Sequence, residues 1–157
     1  MKSDMPEAPH WMENLPNERL AHLIRDAARG LNRSLQQRLA EHGVAFGHWI
    51  FLRMLWEGEG LTQREMSERA GLMEPTTHAA LRKMEALGYI TRKHQRGDRK
   101  KMFVFLTEKG RALRDMLVPL AEAVNAVATS DVSDADVAAT RRVLLAMIAS
   151  LADEATE

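Results

Sequence analysis

Three observations predict a mainly α chain built around two short helices and a basic β-hairpin. First, Thr62 stands three residues before Glu65, the spacing of a capping box, and opens a short helix that stops at Ala70-Gly71. Second, a further helix spans about Glu74 to Leu87, with Pro75 tolerated in its first turn and Gly88 as its stop. Third, Tyr89–His94 and Met102–Leu106 are rich in aromatic and β-branched residues, and the polar tract Gln95–Lys101 between them has the composition of a hairpin tip. Two helices across a tight Ala-Gly-Leu turn, followed by a basic hairpin, form a winged helix-turn-helix.

The flanking segments supply longer helices. One should start after Pro16, with Asn17 as N-cap, and carry Leu20, Ile24, Ala27, Leu31, Leu35 and Leu39 at helical spacing to about Glu41. His42-Gly43 ends it. The next, Ala45 to Trp56, is apolar nearly all round apart from His48 and Arg53, the pattern of a helix in the middle of a protein. Thr107 caps a helix reaching about Ala128, and Ser133 with Asp136 caps a last one. The chain thus divides into a flexible N-terminal arm (1–16), a helical dimerisation region (17–44 and 107–157) and a winged lobe (45–106). The stripes Leu20/Leu23/Ile24, Leu113/Leu117/Leu120 and Leu144/Ile148/Leu151 exceed what one small lobe can bury, which points to a homodimer.

Composition excludes several classes. There is no cysteine among the 157 residues, so disulfide scaffolds, thiolate metal sites and cysteine redox sensing are out. No run approaches the roughly 18 apolar residues that span a bilayer, and the acidic, proline-bearing start lacks a signal pattern, so a cytoplasmic protein is expected. No Ser-His-Asp or Cys-His set, phosphate-binding glycine loop or metal-ligand cluster suggests an enzyme or a cofactor. His22 and Asp26 read as a surface pair, and the ten methionines as core filler.

Net charge is zero, but its distribution is uneven. Thr62–Lys101 holds ten Lys or Arg against five Asp or Glu, leaving twelve against seventeen elsewhere. A basic middle balanced by acidic flanks is the electrostatic footprint expected of a phosphate-binding lobe. On the Glu74–Leu87 helix, Thr77, Ala80, Leu81, Met84 and Leu87 should face the core. Pro75, Thr76, His78, Ala79, Arg82 and Lys83 should face outward. Short and hydrogen-bonding residues near the start suit base edges, and the cations further along suit phosphates. Arg96, Arg99, Lys100 and Lys101 surround Gly97-Asp98 at the wing, where a narrow minor groove attracts an inserted cation. Asp98 is expected to orient a neighbouring Arg. Thr62 and Gln63 offer helix N-terminal N–H groups to a phosphate.

These residues resemble the MarR (multiple antibiotic resistance regulator) family of bacterial regulators. The resemblance is carried by Leu61-Thr62-Gln63-Arg64-Glu65-Met66, by Leu81 through Arg92, and by Asp98-Arg99-Lys100 through Leu106-Thr107-Glu108-Lys109-Gly110. The last segment matches the wing signature Asp-X-Arg followed by Leu-Thr-X-X-Gly, except that the signature's Arg falls on Lys100, with Arg99 beside it. Either could enter the minor groove. The resemblance covers about Asn17 to Leu151. It implies a triangular homodimer with intertwined terminal helices and two winged lobes astride a palindromic operator in double-stranded DNA, and release by a small aromatic carboxylate; repression is the default expected of a dimer with no evident polymerase-contacting segment.

For that effector the residues offer one expectation. Arg53 shares a stripe with Phe46, Trp49, Ile50 and Trp56 on a helix expected to be buried, so its guanidinium needs an anion. Glu57 or Asp26 could supply it. Otherwise a ligand carboxylate could, with the ligand stacked on Trp49 and assisted by His48 and Arg25. The main alternative function is a winged helix used as a protein–protein assembly module, against which the basic, short-residue outer face argues.

Overall fold

Three helices begin where a hydroxyl residue stands ready to receive an orphan amide. Thr62 Oγ1 accepts from the Glu65 N–H at 3.1 Å, Thr107 Oγ1 from Gly110 at 3.0 Å, and Ser133 Oγ from Asp136 at 3.1 Å. The structure, a computed structural model, describes residues 9–156. Six α-helices run through it: α1 Leu20–Glu41, α2 Phe46–Glu57, α3 Gln63–Ala70, α4 Glu74–Ala86, α5 Glu108–Ala128 and α6 Asp134–Glu154. Strands β1 Leu61–Thr62, β2 Ile90–Gln95 and β3 Asp98–Leu106 form an antiparallel sheet in the order β1-β3-β2. A mainly α winged helix-turn-helix is therefore the observed architecture.

The elements depart from expectation at a few places. Asn17 is no N-cap. It ends a 3-10 turn, Leu15–Asn17, that Pro16 favours, and α1 starts three residues later behind an extended Glu18. His22 pairs with Glu18 at 2.8 Å rather than with Asp26, which lies beside Arg25. Of the expected arm, residues 1–8 lie outside the described residues, and the rest holds two 3-10 turns. Strand β1 was invisible because two residues carry no period. Strand β3 runs back to Asp98, so the wing's loop is only Arg96-Gly97, with Gly97 at φ 89°. Leu87 is 42% exposed because the chain leaves the helix at Ala86 and swings away through Gly88.

The core gathers Leu39 from α1, Phe51, Leu52 and Leu55 from α2, Met66 from α3, Leu81 and Met84 from α4, Ile90 and Val104 from the sheet and Leu117 from α5. Helix α2 is central, as its composition requires. His48 and Trp49 belong to this core as well. Leu117 is fully buried, with Leu113 and Leu120 half-buried, so the α5 stripe is spent within the chain. Helix α6 has no buried residue, and Val143, Leu144, Leu145, Ile148 and Leu151 stand exposed along it. Among the described residues, no helix is long and apolar enough to cross a membrane.

The joint between the lobe and α5 is tight. The Thr107 N–H donates to Tyr89 O at 3.0 Å, its hydroxyl to Gly88 O at 2.5 Å, and Trp56 Nε1 to Gly110 O at 2.9 Å. Glu59 accepts from the Leu106 N–H at 2.8 Å and from Arg111 at 2.9 Å, and those partners hold its carboxyl below the usual range. Gly110 is buried where a Cβ would run into the Tyr89 carbonyl and the Leu106 side chain.

Two outcomes are expected. Gly110→Ala should cost about 1–3 kcal/mol, the usual penalty for forcing atoms into packed space, read as an earlier midpoint in urea. Burial, and then the nearby Lys83, hold the His48 imidazole below its ordinary value of 6.5, so it is buried neutral. The unfolded chain takes up that proton first on acidification, so stability should be full above 6.5 and fall as pH drops below it. Denaturation midpoints from pH 7.5 downward should show this slope, and His48→Phe should flatten it.

Candidate nucleic-acid interface

Helices α3 and α4 are welded by a buried chain of hydroxyls. Thr77 Oγ1 donates to Ser67 Oγ at 3.0 Å, and Ser67 Oγ donates to Leu72 O at 2.7 Å across the turn. Gly71 closes α3 in the left-handed region at φ 64°, a conformation open to glycine without a Cβ penalty. With Thr77, Leu81 and Met84 buried, α4 has one orientation available, and it turns Pro75, Thr76, His78, Ala79, Arg82 and Lys83 outward.

The expected residues come together in two places. A groove of about 860 Å³ runs between the starts of α3 and α4 and the wing, and Thr62, Gln63, Pro75, His78, Lys100 and Lys101 line it. A shallower hollow on the outer side of α4 is lined by His78, Ala79, Arg82, Lys83 and Ala86. Thr76 is exposed but lines neither, and Arg96 and Arg99 stand exposed on the wing. Lys100 therefore faces the groove and Arg99 does not. Among the described residues Arg82, Lys83, Arg96, Arg99, Lys100 and Lys101 form no ion pair, whereas Arg64 pairs with Glu68 at 3.2 Å.

Two details differ from the sequence expectations. The Thr62 N–H is not free: it donates to Glu65 Oε2 at 3.1 Å, completing the capping box. Asp98 does not orient an Arg. Its Oδ1 accepts from the Lys100 and Lys101 N–H groups at 3.0 and 3.3 Å, which curls the backbone beyond the tip. The register shift between His94 and Gln95 sits at the same place.

Arg92 was missed. Its side chain is 11% exposed and ties its own strand, β2, to two other elements, α3 and α4. Nη1 donates to Gln63 Oε1 at 2.8 Å and lies 3.2 Å from His78 Nδ1, while Nη2 and Nε meet the Glu85 carboxylate at 3.3 and 3.4 Å. The Arg92 N–H also donates to Glu85 at 3.0 Å, and these bonds hold that carboxyl below its ordinary range. The only sequence signal was an Arg opening the most basic stretch, with a Glu seven residues before it.

The four residues expected to hold an aromatic acid do not converge. Arg53 is exposed, so it needs no buried anion; the stripe it shares lies at the edge of α2, with Trp56 half-buried beside it. Trp49 and His48 point into the core, Trp49 against Trp56 with ring centroids 5.7 Å apart. Arg25 is exposed on α1 beside Asp26 at 3.6 Å.

Comparison with known proteins agrees with this arrangement. A model of the MarR family matches residues 42–101. The HTH-type transcriptional regulator TtmR of Methylorubrum extorquens is 30% identical over 138 residues, covering 88% of this chain and 68% of that protein. The structure of a MarR family regulator from Listeria monocytogenes complexed with a 26mer DNA superposes with a TM-score of 0.79 at 25% identity, covering 87% of this chain and 91% of that one. The Mycobacterium tuberculosis MarR family protein Rv2887, complexed with salicylic acid, has the same fold at a TM-score of 0.68 and 22% identity, covering 83% and 96%. With the capped α3, the outward face of α4 and the basic wing in place, this chain belongs to the MarR family of transcriptional regulators.

Proposed function

We propose that the chain is a repressor that binds a palindromic operator in duplex DNA as a homodimer, inserting α4 into the major groove and the wing beside it. The observation that carries this reading is the set of six cations on α4 and the wing that form no ion pair among the described residues: Lys100 and Lys101 in the groove, Arg82 and Lys83 on the outer side of α4, and Arg96 and Arg99 exposed on the wing. A cation left without a carboxylate on a folded surface is available to displace counterions from phosphates. In this reading Thr76, His78 and Ala79 meet base edges, Pro75 packs against the backbone, and Arg82 and Lys83 meet phosphates. Gln63, at the start of α3, takes a phosphate with the helix N-terminus behind it. Lys100 or Arg99 enters the minor groove, and Arg96 and Lys101 steer the wing.

Dimerisation is supported by α6, a 21-residue helix with no buried residue and an exposed apolar stripe. Such a stripe in water is costly, at about 25 cal/mol per Å² of apolar surface. A two-fold partner using the same stripe would cover it and set two reading heads at a fixed spacing. Residues 17–44 and 107–157 then form the dimerisation region and 45–106 the reading lobe. The protein would act in the cytoplasm. Release by a small aromatic acid completes the reading. Its support is the salicylic acid bound by Rv2887, which shares the fold. With Arg53 and Arg25 at the surface, such an acid would sit shallowly against Trp56 rather than in a closed chamber.

Selection of bound duplexes from a random pool should enrich a palindrome, and affinity for it should fall steeply with salt. Arg99→Ala and Lys100→Ala should each weaken binding, the larger loss marking the residue in the minor groove; equal, negligible losses would remove the wing from the interface. Salicylate should shift the operator complex towards free DNA in a gel or anisotropy titration, and Arg53→Ala should blunt that response. An unchanged response would exclude Arg53 from the effector site.

A further inference from the structure

Arg92 supplies donors only, and this has a consequence for the two groove residues it touches. A guanidinium has five N–H groups and no acceptor. Nη1 carries two hydrogens, and two acceptors stand around it: Gln63 Oε1 at 2.8 Å and His78 Nδ1 at 3.2 Å. The imidazole nitrogen facing Arg92 must therefore be the unprotonated one, and a neutral His78 carries its proton on Nε2, at the opposite edge of the ring. The Gln63 carbonyl is spent in the same way, leaving its NH₂ as the free end. Glu85 fixes the guanidinium in place through Nε and Nη2, and with the side chain 11% exposed the whole set is held between α3, α4 and β2.

We infer that Arg92 sets the hydrogen-bond polarity of the reading face, making His78 a donor that selects the N7 acceptor of a purine in the major groove. The inference rests on the proposed role of α4 in DNA. It adds which way one of its residues reads. A donor suits the major-groove acceptors, purine N7, guanine O6 and thymine O4, of which N7 is common to both purines, while the amino group of cytosine offers a donor and would oppose the Nε2 proton. Arg92 is then a positioning residue: it touches no base, and acts by fixing the tautomer of one residue and the amide orientation of another.

The test uses the full chain and a selected operator. The base pair read by His78 is the one at which His78→Ala relaxes the selected preference. Replacing the purine of that pair by its 7-deaza analogue should weaken wild-type binding roughly threefold to tenfold, the range of one hydrogen bond. The same replacement should leave His78→Ala unaffected. Arg92→Met should also lose the 7-deaza effect while keeping the wild-type salt dependence, because the phosphate contacts remain. If Arg92→Met does not fold, the ¹⁵N shifts of the His78 ring in the free wild-type protein decide, and a proton on Nε2 is expected. A proton on Nδ1, or full tolerance of the 7-deaza purine by the wild type, overturns the inference alone. Failure of the wild type to select any duplex overturns the DNA-reading face and this inference with it.

Discussion

The structure depends on the closeness of Gly110 to the Tyr89 carbonyl. At that point the first turn of α5 meets the end of the α4–β2 connection with no side chain between them, and Trp56 reaches in from α2 to bond the Gly110 carbonyl. Helix α2 and the connection between α4 and β2 thereby share one joint with α5. Thr107 reinforces it by capping α5 while donating its hydroxyl hydrogen to Gly88. Glu59 and Arg111 close the same corner from the side. One backbone bond, from the Thr107 N–H to Tyr89 O, and side-chain bonds of Thr107, Trp56 and Glu59 tie α5 to the segments around it.

Charge in this molecule is sorted by whether it is paired. Arg92 and Arg111 each meet a carboxylate from another segment and tie the two together, while Arg64 pairs with Glu68 within α3. Arg82, Lys83, Arg96, Arg99, Lys100 and Lys101 meet none among the described residues and surround the α4 face. A net charge of zero conceals this division. Asp98, the acid within the wing, forms no ion pair with the cations around it, and its Oδ1 accepts from the Lys100 and Lys101 N–H groups. The wing carries four cations, Arg96, Arg99, Lys100 and Lys101, against this one acid.

Much of the fold was legible because capping chemistry and helical period are local. Thr62 with Glu65, Thr107 and Ser133 marked helix starts that the structure keeps, and Gly71 and Gly88 marked stops. The outward face of α4 followed from period alone, since Thr77, Leu81 and Met84 could point only one way. Asn17 misled because a preceding proline favours a 3-10 turn over a helix start. Arg53 misled because a helix apolar in composition still has an edge, and which residue falls on it depends on what packs nearby.

The sequence by itself determined the capped helix starts at Thr62, Thr107 and Ser133, the helix-turn-helix, the basic hairpin and the outward set on α4, all of which depend on residues within a few positions of one another. Only the tertiary structure decided what the charged and polar side chains do. Arg92 lies 29 positions from Gln63, 14 from His78 and seven from Glu85, and no period links them. Whether an arginine is a free cation or the tie of a network is set by which acceptors the fold brings within 3–4 Å, and that distance exists only once the chain is folded.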